Sequence, residues 1–410
     1  MSADRPWDST MPDKQFQFMR DLLGAPSPIG LEAAMTEGVM APYLDKFMPD
    51  SWKIHRFRGN ASIVVDTAPD AADAFSVMMI GHADKIRLQV RSVGDDGKIW
   101  VNCDSFLPIT LISQEVVLYS ENPKKPGEYR TFDGGTIEAI GAIHFADAET
   151  RSGRKGIKPE MLYLELGLHG KKRKEQVEKL GIRAGDPLLL KRKIRRGFAQ
   201  DSFYGAYLDN GLGCFVVAEV ARLIAERGGL KNVRFLGAAA THEEIGRMGS
   251  RVLAGEMTPD VVVGLDVSHD LAAAPRVGDR RFTPNAMGKG MTLAVGSITS
   301  SYVNSMIQQV AKKNDIPCQL KVVGRDTGTD AMAGVFSGRD SAAVSVGFPI
   351  RNMHTASECG HTGDVLAAVY AMTELLFHMD SMNGGAGIAA DDLRSGHPRL
   401  DQAKITESAK

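Results

Sequence analysis

Apolar positions along the chain fall into two textures. One consists of nearly unbroken apolar runs, such as Phe75-Ser76-Val77-Met78-Met79-Ile80 and Val233 to Ala240. Runs of this kind suit strands covered on both faces. Ala61–Asp66, Val261–Leu265, Gln319–Val323 and Ala342–Gly347 read the same way. Between them lie segments of helical period: Lys14–Leu23, Leu31–Phe47, a helix carrying Phe215, Val216, Ala218, Val220, Leu223 and Ile224, Tyr302–Asn314 and Asp364–Met379. The first two are separated by Ala25-Pro26-Ser27-Pro28-Ile29-Gly30, a helix-stopping stretch. Asp209 or Asn210 is a natural N-cap for the third. Alternating strands and helices predict an α/β fold, a mixed β-sheet flanked by helices on both faces.

The second texture runs from about Arg91 to Arg196. Short β-like runs, Lys98–Asn102, Glu115–Ser120, Thr136–Ile143, Met161–Leu166 and Pro187–Leu190, are separated by Gly, Pro and Asp, with one helix at Lys172–Leu180. This predicts a small β-barrel-like domain inserted into the α/β one. The expected division is a catalytic α/β domain over 1–91 and 199–383, the insert over 92–198, and a Gly-, Asp- and Ser-rich tail over 384–410 without order. Two basic stretches in and beside the insert, Arg151–Lys155 and Lys191–Arg196, lack interleaved aromatics and read as solvated loops or subunit contacts.

Composition narrows the class. A formal charge of −1 argues against general nucleic-acid or anionic-membrane binding. Cys103, Cys214, Cys318 and Cys359 are far apart and form no CxxC pair, which suits a reducing cytoplasm. Met1 to Asp13 is polar with no apolar core of a secretory signal, and no apolar run is long enough to span a bilayer. A soluble, cytoplasmic protein is expected.

The chemistry concentrates where predicted strands end. His82, Asp209, the pair Glu243-Glu244, Asp266 and His354 each follow an apolar run, and in open α/β sheets that edge collects ligands. Alone, each has a plain structural explanation: a core histidine, an N-cap, a glutamate pair opening a helix near its positive dipole end. Together, two imidazoles and several carboxylates make an N/O donor set for a pair of divalent ions such as Zn²⁺, Co²⁺ or Mn²⁺. One carboxylate can bridge metals about 3.5–4 Å apart and another remains for proton transfer. Alternation along an extended chain would send Glu243 and Glu244 to different tasks. It would also bring Asp84 to the second nitrogen of His82. His242 is expected to be a bystander.

These residues resemble a known family. Gly81-His82-Ala83-Asp84, Leu208-Asp209-Asn210, Glu243-Glu244-Ile245-Gly246, Gly264-Leu265-Asp266-Val267, Gly328-Thr329-Asp330-Ala331 and Met353-His354-Thr355 are similar, in this order, to motifs of metallopeptidase family 42, the tetrahedral dinuclear-metal aminopeptidases. The likeness runs from about Phe16 to Met382, and Leu162–Gly167 and Gly181–Pro187 extend it into the insert. It implies a zinc-exopeptidase-like fold and a cytoplasmic aminopeptidase acting on short peptides. Two divalent ions per subunit are implied, Zn²⁺ foremost, with Co²⁺ or Mn²⁺ as alternatives. By the same resemblance Asp209 bridges the metals, Glu244 and His354 complete one site, and His82 and Asp266 complete the other. Glu243 is then the general base that activates a water between the metals, and Asp84 orients His82. The insert supports a dodecamer built from dimers.

Two positions depart from the pattern: Lys85-Ile86-Arg87 stands where Glu, Ile and Gly are usual, and Gly211 where Arg is common. Lys85 or Arg87 is expected either to attract an acidic substrate group or to pair with a neighbouring carboxylate. Two other functions fit the same residues. One is an amidohydrolase or deacylase acting on a modified small substrate, and the other a non-catalytic assembly or binding protein.

Overall fold

The computed structural model describes residues 5–59, 62–139, 141, 143–274 and 283–395. The first strands are β1 (Lys53–Phe57), β2 (Ser62–Asp66) and β3 (Ser76–His82). The middle of the chain supplies β4 (Leu88–Val93), β5 (Ile99–Cys103), β6 (Glu115–Glu121), β7 (Tyr129–Ala139), β8 (Leu162–Glu165) and β9 (Pro187–Leu190). Then come β10 (Arg195–Arg196), β11 (Ser202–Gly205), β12 (Arg234–Ala240), β13 (Val261–His269) and β14 (Met291–Gly296). The last are β15 (Cys318–Val323), β16 (Ala342–Ile350) and β17 (Glu358–His361).

Among the described residues the main sheet has eight strands in the order β1-β2-β12-β3-β13-β16-β14-β15. Its centre, β12, β3, β13 and β16, is parallel, while β2 and β14 run antiparallel to their neighbours there. The unbroken apolar runs are explained by layers on both faces. Val77 and Met79 face one core with the Asp13–Gly24, Leu208–Glu226 and Thr362–Asp380 helices, and Met78 and Ile80 face a second with Leu253 and Ala254. The insert is a closed barrel, β4-β5-β8-β7-β6-β9, filled by Leu88, Val101, Leu118, Ile137, Leu164 and Leu188. A small sheet, β10-β11-β17, adds Phe203 of β11 to the main core.

Several elements differ from the sequence reading. The strand expected over 136–143 starts earlier, at Tyr129, and its end falls partly outside the described residues. Edge strand β1, half exposed along its length, and the Met248–Met257 helix carry too few apolar positions to stand out. The tail begins with structure: the Ala390–Ser395 helix buries Leu393, and Ile388 is buried before it. Residues 396–410 lie outside the described residues. Among the described residues no helix is long and apolar enough to cross a membrane.

Candidate metal centre and active site

His82 ends β3, and Glu243 and Glu244 follow β12, at the same edge of the parallel strands. Asp266 is the sixth residue of β13. Asp209 and His354 arrive by other routes. Asp209 precedes the regular part of the Leu208–Glu226 helix, after β11 of the small sheet, and His354 sits in the turn between β16 and β17. The expectation that all of them end strands of one sheet is therefore corrected for these two, and for Asp266, whose strand runs three residues further to His269.

Close packing brings Asp209 in. A Cβ on Gly81 would lie 2.3 Å from the Cys214 nitrogen and the Gly213 carbonyl carbon, and a Cβ on Gly213 would lie 2.3 Å from the Leu265 oxygen. Only glycine at both positions lets the helix backbone rest on β3 and β13. Asn210 caps the helix: its Oδ1 accepts from the Gly213 amide at 2.8 Å while its Nδ2 donates to the Leu265 carbonyl at 2.8 Å. The Asp209–Asn210 peptide is cis.

The result is a compact donor cluster. His82 Nε2 is 3.1 Å from Asp209 Oδ1 and 3.9 Å from Asp266 Oδ1. His354 Nε2 is 3.2 Å from the other Asp209 oxygen, Oδ2, and 3.6 Å from Glu244 Oε2. His82, Asp209 and Asp266 form one group able to hold a cation, and Asp209, Glu244 and His354 a second. Four-coordinate zinc with bonds of about 2 Å spaces its ligand atoms about 3.3 Å apart, so both groups fit. Glu243 lies outside these groups with Oε2 3.7 Å from His82 Nε2. His242 is absent from both, its Nδ1 lying 3.2 Å from Thr241 Oγ1.

The glutamates diverge for a reason other than strand alternation. The chain after β12 turns at once, His242 taking φ +57°, so both glutamates sit in a tight turn. Asp84 holds that turn. Its Oδ1 accepts from the Glu243 amide at 3.1 Å and its Oδ2 from the Glu244 amide at 3.2 Å. The second nitrogen of His82 is nearer the Asp84 main-chain oxygen, at 3.1 Å, than its carboxylate, at 3.5 Å.

Electrostatics show that the cluster calls for cations. Burial works against the Asp209 carboxylate, yet hydrogen bonds from His354 and His82 outweigh it and hold it well below the usual range. Burial also works against charged His354, but Asp209 and Glu244 push it up to about 10. Burial, then the neighbouring carboxylates, push Glu243 up to about 10 and Asp266 well above its ordinary value. Protons are standing in for positive charge that the side chains lack. Glu244 Oε1 is buried with no hydrogen-bond partner. A pair of divalent ions fits this donor set.

Two features were not foreseen from the sequence. Glu358, 2% exposed, accepts from the Leu208 amide at 2.6 Å and the His354 amide at 2.9 Å, tying together the segments that carry Asp209 and His354. A lone glutamate before a short strand gives no sequence signal. Lys85 and Arg87 were expected to face the cleft or a carboxylate, and they do neither. Lys85 Nζ donates to the carbonyls of Leu23, at 2.8 Å, and Ala25, and Arg87 donates to the Ile29 carbonyl and to Gln89. The chain of Leu23–Ile29 passes close to this strand end and offers its carbonyls as acceptors, that of Ala25 being shared with the Ser27 amide.

Comparisons with known proteins give the family and the fold. Lysyl aminopeptidase of Pyrococcus furiosus is 25% identical over 369 residues, covering 90% of this chain and 98% of the relative. The structure of aminopeptidase APDkam598 from the archaeon Desulfurococcus kamchatkensis superposes with a TM-score of 0.76 at 21% identity, covering 94% of this chain and 98% of that one. The TET1 peptidase of Pyrococcus horikoshii, which can assemble into a tetrahedron or a large octahedral shell, gives 0.68 at 19% identity over 88% and 99%. The profile of M42 glutamyl aminopeptidases matches residues 61–370, a span that includes His82, Asp209, both glutamates, Asp266 and His354. With the fold, the donor cluster and this match in agreement, the chain belongs to the M42 glutamyl aminopeptidase family, as an aminopeptidase.

Proposed function

We propose that this aminopeptidase releases single N-terminal residues from short peptides, using two divalent cations held by Asp209 together with His82 and Asp266 on one side and Glu244 and His354 on the other. The observation that carries the reading is the division of Asp209, one oxygen toward each histidine. Bound there, divalent ions supply Lewis acidity for the scissile carbonyl and acidify water. The remaining work falls to the chain. Glu243, beside the cluster and outside both ligand groups, takes a proton from the attacking water and returns it to the leaving amine. Asp84 fixes the two glutamates through their amides, so the base and the ligand keep their separation.

The donor set suits Zn²⁺ first, and Co²⁺ or Mn²⁺ as well. Assembly into a dodecamer, with the β-barrel insert at its contacts, belongs to the same reading; a related TET1 structure that holds a dodecamer supports the dodecamer itself. A cytoplasmic location is supported by four cysteines that remain free.

The test is a panel of aminoacyl-anilides set against N-acyl amino acids, on metal-loaded protein, with N-terminal lysine, the residue in the Pyrococcus furiosus relative's name, among those screened. Free aminoacyl-anilides should be hydrolysed. Glu243→Gln should lower kcat by about 10²–10⁴-fold and keep its metals. Turnover of blocked substrates alone would favour an amidohydrolase. No turnover by loaded protein, with Glu243→Gln indistinguishable, would favour a non-catalytic assembly protein.

A further inference from the structure

Four cations that border the centre are engaged by the protein itself. Lys85 and Arg87 bind carbonyls, Arg247 forms a two-pronged pair with Asp326 at 2.6 and 2.9 Å, and Arg351 pairs with Asp270 at 2.7 Å. Lys321 is different. Among the described residues its ammonium has no hydrogen-bond or ion-pair partner.

The strand register places it. Asp266 lies beside Gly347, Gly347 beside Thr292, and Thr292 beside Gln319, so one row across the sheet shares a face. Lys321, two residues along β15 from Gln319, stands on that same face, while Leu320 and Val322 point to the other and are 41% and 72% exposed. Lys321 is half-buried. Burial pushes its ammonium down and the Asp266 carboxylate opposes this, so the two are within electrostatic reach. His269, three residues beyond Asp266, is lowered by burial and then by Lys321 and His354.

We infer that Lys321 binds a carboxylate of the substrate and so sets its specificity. This rests on the aminopeptidase reading. Membership of the family does not decide the preference, since a relative is named for lysine. An unpaired ammonium on this wall repels an N-terminal lysine and attracts a carboxylate, whether that of an acidic N-terminal side chain or the C-terminal one of a dipeptide.

Kinetics on the full-length, zinc-loaded protein distinguish the two sources. The first readout is the ratio of kcat/KM for glutamyl- over glutaminyl-anilide, and the second that for Leu-Gly over Leu-Gly-amide. Lys321→Met should lower one ratio by about tenfold or more, and Lys321→Arg should keep most of it. A fall in the first ratio names the N-terminal side chain, and a fall in the second names the C-terminal carboxylate. If Lys321→Met leaves both ratios as in the wild type, the inference is wrong. Calorimetric binding of free L-glutamate against L-glutamine and of Leu-Gly against its amide, to wild type and Lys321→Met, gives the same comparisons without turnover. A wild type that hydrolyses nothing would sink the aminopeptidase reading, while those binding differences would still decide Lys321.

Discussion

Lys85 offers a quantitative test of the frame that holds the centre. Its side chain is 1% exposed, and its ammonium is met by the carbonyls of Leu23 and Ala25 and lies 5.5 Å from the Tyr207 ring centroid, with no carboxylate among the described residues in contact. Carbonyl dipoles compensate a buried charge less well than a carboxylate, and burial pushes Lys85 from 10.5 down to about 7. Between those values the unfolded chain binds a proton that the folded chain has released, so stability rises with pH. Each tenfold difference in proton affinity is worth about 1.4 kcal/mol, so raising the pH from about 7 to about 10 should stabilise the wild type by about 3 kcal/mol relative to a variant without the group. Lys85→Met is that variant, since the flexible thioether fills similar space. Denaturant unfolding of both proteins, equally metal-loaded, should give a difference that is flat below about pH 7 and then climbs in favour of the wild type. Parallel stability curves across this window would refute the argument. The two carbonyls and the ring would then be enough to keep the ammonium at its ordinary pKa.

Three further outcomes follow from the packing of the site. Glu358→Gln turns an amide donor toward either the Leu208 or the His354 amide, leaving that donor unpaired. It should weaken metal binding or activity by about 10–100-fold, read by metal titration and kcat. Gly81→Ala places a methyl group 2.3 Å from backbone atoms that cannot swing away. It should cost about 1–3 kcal/mol or more and weaken the cation group containing His82, measured by unfolding and metal content together. Asp209→Ala should lose both metals, because each group depends on one of its oxygens; two metals per chain by elemental analysis would overturn the bridging role.

How much of this was legible in the sequence depended on whether a signal was local. The central strands declared themselves because helices on both faces favour apolar residues at successive positions, as in Val77–Ile80 and Ala238–Ala240. The barrel strands were legible as short runs between turn residues, though their ends shifted, since β7 continues as far back as Tyr129 through polar positions. The candidate ligands were legible only as a set: each alone has a plain structural explanation, but two imidazoles and several carboxylates after apolar runs match one family's motifs in order. Their routes to the centre were not. Asp209 reaches His82 through contacts at Gly81 and Gly213 that are far apart in the chain. Glu358 and the amide-binding role of Asp84 belong to tertiary hydrogen bonds that no spacing rule encodes.

The departures at Lys85 and Gly211 show why reading positions one at a time misleads. Both look like losses beside the active site, and each could be taken as a separate change in substrate preference. In the folded chain they meet at one residue, Leu23. Lys85 binds its carbonyl, while its side chain occupies the space where a residue larger than glycine at 211 would begin, with Leu23 Cδ2 2.8 Å from the position of a Cβ there. The end of the Asp13–Gly24 helix is thus wedged between the segment carrying His82 and Asp84 and the segment carrying Asp209. An arginine at 211 would have to displace Leu23, and a glutamate at 85 would set a carboxylate against two carbonyl oxygens. Each substitution alone opposes the wedge, so the two positions should couple strongly. They therefore belong to the framework beneath the site and not to its substrate contacts.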